Sequence, residues 1–353
     1  MLNNYIYCIG LMSGTSLDGI DLAYIQFDSN SYNNFKIIKA DTFSYSDEWK
    51  NKLQKAISYN KEDLKSLDIE YGIHLGKLLN EFIEINEIST LDFIASHGHT
   101  ILHQPENGIT LQIGNGQQIA NITNKKVVCD FRTQDVKLGG QGAPLVPIGD
   151  KLLFSDYEYC LNLGGFANVS FEKNTKRIAF DICPVNIVLN HYTRKLGQEY
   201  DDNGSLASNG SVNEILLNEL NQLKFYKINP PKSLGLEWVQ KEIFPLIDSL
   251  EEDIQTILRT FVEHIAIQIG SVIKNSKSVL ATGGGVYNSF LMERIDFYAK
   301  TRVEKVSDEL INYKEALIFG FLGVLKLDNK VNCLASVTGA SKNHSSGEIF
   351  QPK

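Results

Sequence analysis

An α/β protein of two lobes, each opening with a strand–turn–strand hairpin, is the fold class this sequence predicts, and three observations predict it. At 353 residues the chain exceeds the size at which a single hydrophobic core keeps growing. Short apolar runs of β character are interleaved with longer runs of helical period. The succession strand, glycine turn, strand, strand, helices occurs twice, from "NYIYCIGLMSGTSLDGIDLAYIQF" and from "YEYCLNLGGFANVSFEK", although the two halves share little residue identity.

Taken in order, "NYIYCIGLM", "IDLAYIQF" and "FKIIKADTF" read as three consecutive strands joined by turns short enough for antiparallel hairpins. "SDEWKNKLQKAI" opens a helix with Ser46 as its N-cap, and "KEDLKSLDIEYGIHLGKLLNEFIEI" carries apolar residues at three- and four-residue spacing. "LDFIASHGHT" is a strand with a polar end. In the second half, "RIAFDICP" adds a third strand, "VNEILLNELNQL" and "EDIQTILRTFVEHIAIQIGSVIKN" are helical, and "SVLATGGGVYNSFLMERI" reads as a strand, three glycines and a helix. The expected lobes are 1–130 plus 328–353 and 131–327, the C-terminal "VTGAS" tail returning to the first.

Composition narrows the function. Hydrophobic residues make up 43% and charged residues 22%, ordinary for a soluble globular protein. No run approaches the roughly 18 apolar residues of a membrane span, and no leader pattern is visible, so the cytoplasm is the expected location. A net charge of −8 without a basic block argues against nucleic acid or an anionic membrane as partner. The five cysteines, Cys8, Cys129, Cys160, Cys183 and Cys333, are scattered through apolar runs and read as small buried hydrophobes rather than disulfide or zinc frameworks.

The chemistry is expected in the glycine turns. Gly10, Gly14 and Gly19 let a ligand approach the main chain, while Ser13, Thr15 and Ser16 add hydroxyls, and successive N–H groups there make an anion nest. Gly164 and Gly165 offer the same between two strands. Gly283, Gly284 and Gly285 follow a strand and are expected to open a helix, whose N-terminus favours phosphate. Each turn alone is also compatible with a plain tight turn. None fits the P-loop or the Rossmann fingerprint. Two hairpin-led lobes and a late glycine-rich turn suggest the actin-like ATPase and sugar-kinase architecture, a duplicated ribonuclease-H-like fold with an inter-lobe cleft.

"GLMSGTSLDGIDLA", "TLQIGNGQQIA", "DFRTQDVKLGGQGAPLVP", "LNLGGFANVS", "ATGGGVYN" and "SVTGAS" together resemble the anhydro-N-acetylmuramic acid kinases, almost from end to end. The resemblance implies an enzyme of cell-wall recycling that uses ATP and water to open the 1,6-anhydro bridge of its sugar and phosphorylate the freed O6, acting as a homodimer. It places the ATP phosphate loop on Gly14, Thr15, Ser16, Leu17, Asp18, Gly19, Ile20 and Asp21, and the catalytic base on Asp181. Asp18 is the candidate to orient the Mg²⁺ hydration shell, with a self-bonded turn residue as its alternative. Asp181 is otherwise an N-cap for a helix beginning near Pro184. Arg132 reaches the lactyl carboxylate or a phosphate, or is a surface cation. Glu315 matches a glutamate of the family's last long helix and is expected as a second catalytic residue, and the alternative is a helix-dipole role. Asn186 is expected at the substrate. His97 is expected as a sugar-binding or structural hydrogen-bonding group, and "SHGHTILHQP", with His97, His99 and His103, is not a metal site.

The chain departs from the family's pattern in four places. His99 stands where the family has glutamine. After the base, Cys183 and Val185 replace glycines, which predicts a reshaped or blocked pocket, and Leu236 replaces an arginine. These changes leave open a kinase of the same fold for another sugar, or a catalytically weak nucleotide-binding module.

Overall fold

In the computed structural model, which describes residues 4–14 and 17–353, one strand order is used twice. In the first sheet β1 (Tyr5–Ser13), β2 (Ile20–Asp28) and β3 (Ser31–Phe43) form the antiparallel meander. β4 (Phe93–Gln104) and β6 (Val127–Cys129) then add in parallel on the other side of β1, and β5 (Ile109–Ile113) pairs with the end of β4. In the second sheet β7 (Tyr159–Leu163), β8 (Phe166–Lys173) and β9 (Lys176–Pro184) repeat the meander, and β10 (Val279–Thr282) and β11 (Val303–Lys305) repeat the parallel additions. β12 (Glu348–Phe350) closes the first sheet against β6, so the tail joins the sheet that begins the chain.

The chain divides into two compact units, Met1–Leu153 with Tyr313–Lys353, and Phe154–Asn312. These limits differ from the expected 130 and 328 because 131–153 and 313–327 pack with the first sheet. Gln141 donates its N–H to the Thr338 carbonyl, and a methyl on Gly10 of β1 would lie 1.9 Å from the Ala316 carbonyl. That close approach is what glycine in the middle of an apolar strand provides here.

β1 is apolar at successive positions because both of its faces are covered. Ile9 and Leu11 belong to the cluster with Leu75 and Leu79 of the helix Lys61–Ile85. Cys8 and Gly10 face Gly320 of the helix Asp308–Leu327. The second core gathers Leu161, Val169 and Ile182 of the strands with Phe261 and Ile265 of the helix Ile254–Val272. Helix starts follow the sequence. Ser46, Asn60 and Asp253 each accept a backbone N–H of the first turn. All five cysteines are buried.

A bulge in β4 sets the site. Leu11 of β1 pairs with Ser96 but Ser13 pairs with His99, so β4 carries one extra residue, at Gly98 with φ +72°. In an unbroken strand His97 and His99 would share a face. Here His97 turns towards Phe319, at 4.6 Å between rings, while His99 turns towards Tyr45 and Tyr71.

Candidate active site

In the first unit the opening turn leaves β1 at Gly14, whose carbonyl accepts the Leu17 N–H at 3.3 Å, and Leu17 takes φ +59°. Thr15 and Ser16, expected to offer hydroxyls to phosphate, lie outside the described residues. Asp18 is exposed, whereas Ile20 is buried in the core and can offer only its backbone. Asp21 is half-buried and accepts from Thr42 Oγ1 at 2.6 Å. Burial raises its carboxyl above the ordinary value, the Thr42 bond opposes this, and the Asp18 charge adds to it.

Beneath the turn lies a polar cluster that local sequence patterns do not reveal. Ser13 Oγ is 2.5 Å from Tyr45 Oη, 2.9 Å from Tyr71 Oη and 2.9 Å from His99 Nδ1, and the two tyrosine hydroxyls are 2.6 Å apart. Burial lowers His99 to about 4, so its ring is neutral at pH 7. Ser13 and Tyr71 are 58 positions apart, a separation no spacing rule reaches.

Arg132 is a held cation, not a surface one. Its Nε and Nη2 donate to His97 Nε2 at 3.0 and 2.9 Å, and Nη1 donates to the Gly142 carbonyl at 2.9 Å. Because Nε2 accepts, the His97 proton sits on Nδ1, 2.9 Å from the Gly98 carbonyl. Burial, and next the Arg132 charge, push His97 well below its ordinary value. His97 thus orients Arg132, the structural side of what was expected of it. Glu315 lies two turns inside the helix Asp308–Leu327, so the dipole role does not apply; Asp308 and Glu309 occupy the first turn. Its side chain reaches solvent. Its surroundings raise its carboxyl, Arg132 draws it down, and Asp21 pushes it up. Asp21, Arg132 and Glu315 thus share one electrostatic neighbourhood.

In the second unit the Gly164–Gly165 turn commits the Gly164 N–H and both glycine carbonyls to hydrogen bonds within the protein. Gly164 donates its N–H to the Phe166 carbonyl at 3.2 Å. The carbonyls of Gly164 and Gly165 accept the N–H groups of Val185, Asn186 and Ile187, capping the helix Asn186–Arg194. Asp181 is therefore not an N-cap. It sits in β9, donates its N–H to the Lys232 carbonyl, and accepts the Leu234 N–H on Oδ2 at 2.8 Å. Burial raises its carboxyl and the Leu234 bond opposes it.

Gly283, Gly284 and Gly285 do not open a helix directly. They lead into a single 3₁₀ turn, Gly284–Tyr287, and the helix Ser289–Ala299 starts later with its N-terminus capped by Asn288. Gly283 and Gly285 pack on Leu163, where a methyl on either would lie 2.8 Å from that residue, and Gly284 faces the Asn186 amide. The third turn thus rests on the second, at the carboxyl ends of parallel β7 and β10.

The departures fall differently from expectation. Cys183 and Val185 are both 0% exposed and belong to the second core, and Val185 has φ −129°. Neither side chain projects from the surface, and Val185 does not need the left-handed backbone that glycine would supply. Leu236 is 46% exposed. Lys232 donates to the Phe225 carbonyl at 3.2 Å, with its ammonium 4.5 Å from the Phe225 ring centre.

Two sheets in which an antiparallel meander (β3-β2-β1 and β9-β8-β7) continues into two parallel strands (β4-β6 and β10-β11), with glycine turns after β1, β7 and β10, define the duplicated ribonuclease-H-like class of the actin-like ATPases and sugar kinases. A model of the anhydro-N-acetylmuramic acid kinase family matches residues 6–352, and the chain belongs to that family. It is similar to proteins named anhydro-N-acetylmuramic acid kinase from Haemophilus influenzae, at 32% identity covering 98% of this chain and 97% of that one. A relative of the same name from Francisella tularensis subsp. novicida is 33% identical, covering 99% of each chain. Another, from Bacillus cereus (strain Q1), is 34% identical, covering 98% and 100%. Among solved structures it is similar to the (R)-2-hydroxyglutaryl-CoA dehydratase component A of Acidaminococcus fermentans, with TM-score 0.46, 13% identity, and coverage of 88% and 95%. A ROK family glucokinase from Streptomyces griseus, in complex with glucose and AMPPNP, gives TM-score 0.42, 10% identity, and coverage of 90% and 98%.

Proposed function

We propose that the protein is a kinase of anhydro-N-acetylmuramic acid: it opens the 1,6-anhydro ring with water and transfers the γ-phosphoryl group of ATP to O6, giving N-acetylmuramic acid 6-phosphate and ADP. The observation that carries this reading is the Asp181 carboxyl. It stands at the family's base position, is fixed by the Leu234 N–H on one oxygen, and is raised by burial towards the range in which a carboxylate accepts a proton readily.

Water adds to C1 while Asp181 takes one of its protons. The C1–O6 bond breaks, and O6 takes up the phosphoryl group as ADP departs. Transfer of that group to O6 replaces the second carboxylic acid that a glycosidase uses on its leaving oxygen. Arg132, immobilised by His97 and Gly142, offers a pre-positioned guanidinium for a carboxylate or phosphate. Glu315 is its nearby acidic counterpart. The turn from Gly14 to Asp21 is assigned to the ATP phosphates. The exposed Asp18 and half-buried Asp21 are hard oxygen donors that fit a hydrated Mg²⁺, which when bound neutralises phosphate charge. The family resemblance further supports a homodimer acting in the cytoplasm, and light scattering of the purified protein tests the dimer.

The deciding experiment incubates the protein with ATP, Mg²⁺ and 1,6-anhydro-N-acetylmuramic acid in ¹⁸O water and follows ADP and sugar phosphate by mass spectrometry. Unlabelled product in the same water controls for exchange at C1. A 6-phosphate bearing the heavy oxygen at C1 at early times is the expected result. ATP binding without this product overturns the reading and points to another sugar.

A further inference from the structure

The helix Thr133–Lys137 and the C-terminal segment meet in a buried cluster that phosphoryl transfer does not use. Asp135 is 0% exposed, Cys333 1% and His344 6%. Asp135 Oδ1 accepts from Cys333 Sγ at 3.0 Å and from Thr338 Oγ1 at 2.7 Å, and Oδ2 accepts the Gly142 N–H at 2.7 Å. His344 Nδ1 lies 3.2 Å from the Lys342 carbonyl, which can only accept, so in the neutral ring Nδ1 carries the hydrogen and Nε2 a lone pair. That Nε2 is buried, makes no hydrogen bond and faces Asp135 Oδ1 at 3.6 Å.

A buried lone pair facing a carboxylate oxygen is unfavourable unless a cation or a proton lies between them. The three residues each place one ligand atom within 4.8 Å of the other two. Cys333 and His344 are directly opposite each other in an antiparallel bridge, exchanging N–H to carbonyl bonds of 3.1 and 3.2 Å, so their side chains rise on the same side. Thiol, imidazole and carboxylate together form a donor set for Zn²⁺ and its neighbours, not for Mg²⁺ or Ca²⁺.

We propose that Asp135, Cys333 and His344 form a buried transition-metal site, of the Zn²⁺ type, that fastens the C-terminal segment to the loop carrying Arg132. Bonds of about 2.3 Å to sulfur and about 2.0 Å to nitrogen and oxygen separate tetrahedral ligands by roughly 3.3–3.5 Å, against 3.0 Å from Cys333 Sγ and 3.6 Å from His344 Nε2 to Asp135 Oδ1. Binding is not a redox step: the ion takes the place of the thiol hydrogen on Sγ, and that proton is released to solvent. Carboxylate, thiolate and a divalent ion sum to zero charge, which makes the site compatible with the nearby Arg132. Thr338 orients the Asp135 ligand from behind. Gly142 joins the cluster to the proposed active site, its N–H bonded to Asp135 and its carbonyl to Arg132.

The test titrates the reduced, chelator-stripped full-length protein with Co²⁺. One equivalent is expected to bind, with a thiolate-to-cobalt charge-transfer band that Zn²⁺ abolishes by displacement. Cys333→Ser should remove the band, His344→Ala should weaken Co²⁺ binding at least tenfold, and Cys160→Ser should change neither. Circular dichroism establishes that each variant is folded, and the wild-type titration decides even if one is not. Absence of a saturable band in the wild type, or its persistence in folded Cys333→Ser, overturns the metal site. The first of these outcomes leaves a hydrogen-bonded hub in its place.

Discussion

Arg132 illustrates how a single residue acquires its role from partners far away in sequence. "DFRTQD" contains nothing that distinguishes a surface cation from a fixed one. His97 and the Gly142 carbonyl do so by taking three of its N–H groups. Replacing His97 with Phe removes the acceptor for two of these. The expected result is a roughly 10- to 100-fold fall in kcat/KM for the sugar, with ATP affinity kept, measured by steady-state kinetics and calorimetry. Asp181→Asn removes the proton acceptor while keeping the shape. Turnover should drop by about 10²–10⁴-fold with nucleotide binding intact, and near-normal turnover would remove Asp181 as the base. Because burial raises this carboxyl, the acid limb of kcat/KM should lie above the free aspartate value of 3.8. An acid limb at or below that value contradicts the assignment.

Among elements, β1 and the helix Asp308–Leu327 form the tightest contact that glycine makes possible. Their backbones meet at Gly10, Ala316 and Gly320, which sets where Glu315 stands relative to β1. Gly10→Ala should cost on the order of 1–3 kcal/mol or more, since the clash is with backbone that cannot rotate away, and denaturant midpoints measure it. Most elements were legible in the sequence: the meanders, the capped helices and the apolar runs all carry their own period. The helix after β10 starts later than its sequence suggests, because three glycines look like an N-terminus yet continue into a 3₁₀ turn packed on Leu163, and Asn288 does the capping. The bulge at Gly98 was equally hidden. Its effect, sending His97 and His99 to opposite faces, depends on pairing with β1.

At the scale of the molecule, buried neutral histidines couple stability to pH. Burial lowers His99 from 6.5 to about 4 and His264 to about 3, and His97 also lies well below its ordinary value. Unfolding exposes these rings to water, where they bind protons at higher pH than in the fold. Their contribution is therefore complete above pH 6.5 and is lost as pH falls from 6.5 towards 4 and below. His99 alone accounts for up to about 3 kcal/mol of this. Urea midpoints should decline across that window, and His99→Gln should flatten the decline; an unchanged slope would show that the ring is charged in the fold.

The sequence by itself determined the repeated meanders and the family, because strand period, helix caps and glycine turns are local signals. Only the tertiary structure decided that Cys183 and Val185 point into the second core, that Arg132 is immobilised, that Ser13 meets Tyr45, Tyr71 and His99, and that Asp135, Cys333 and His344 converge. Each of these rests on groups brought together by sheet register and helix packing across tens to hundreds of residues. Burial, proton position and partner choice are properties of that assembled surrounding, which no window of the chain contains.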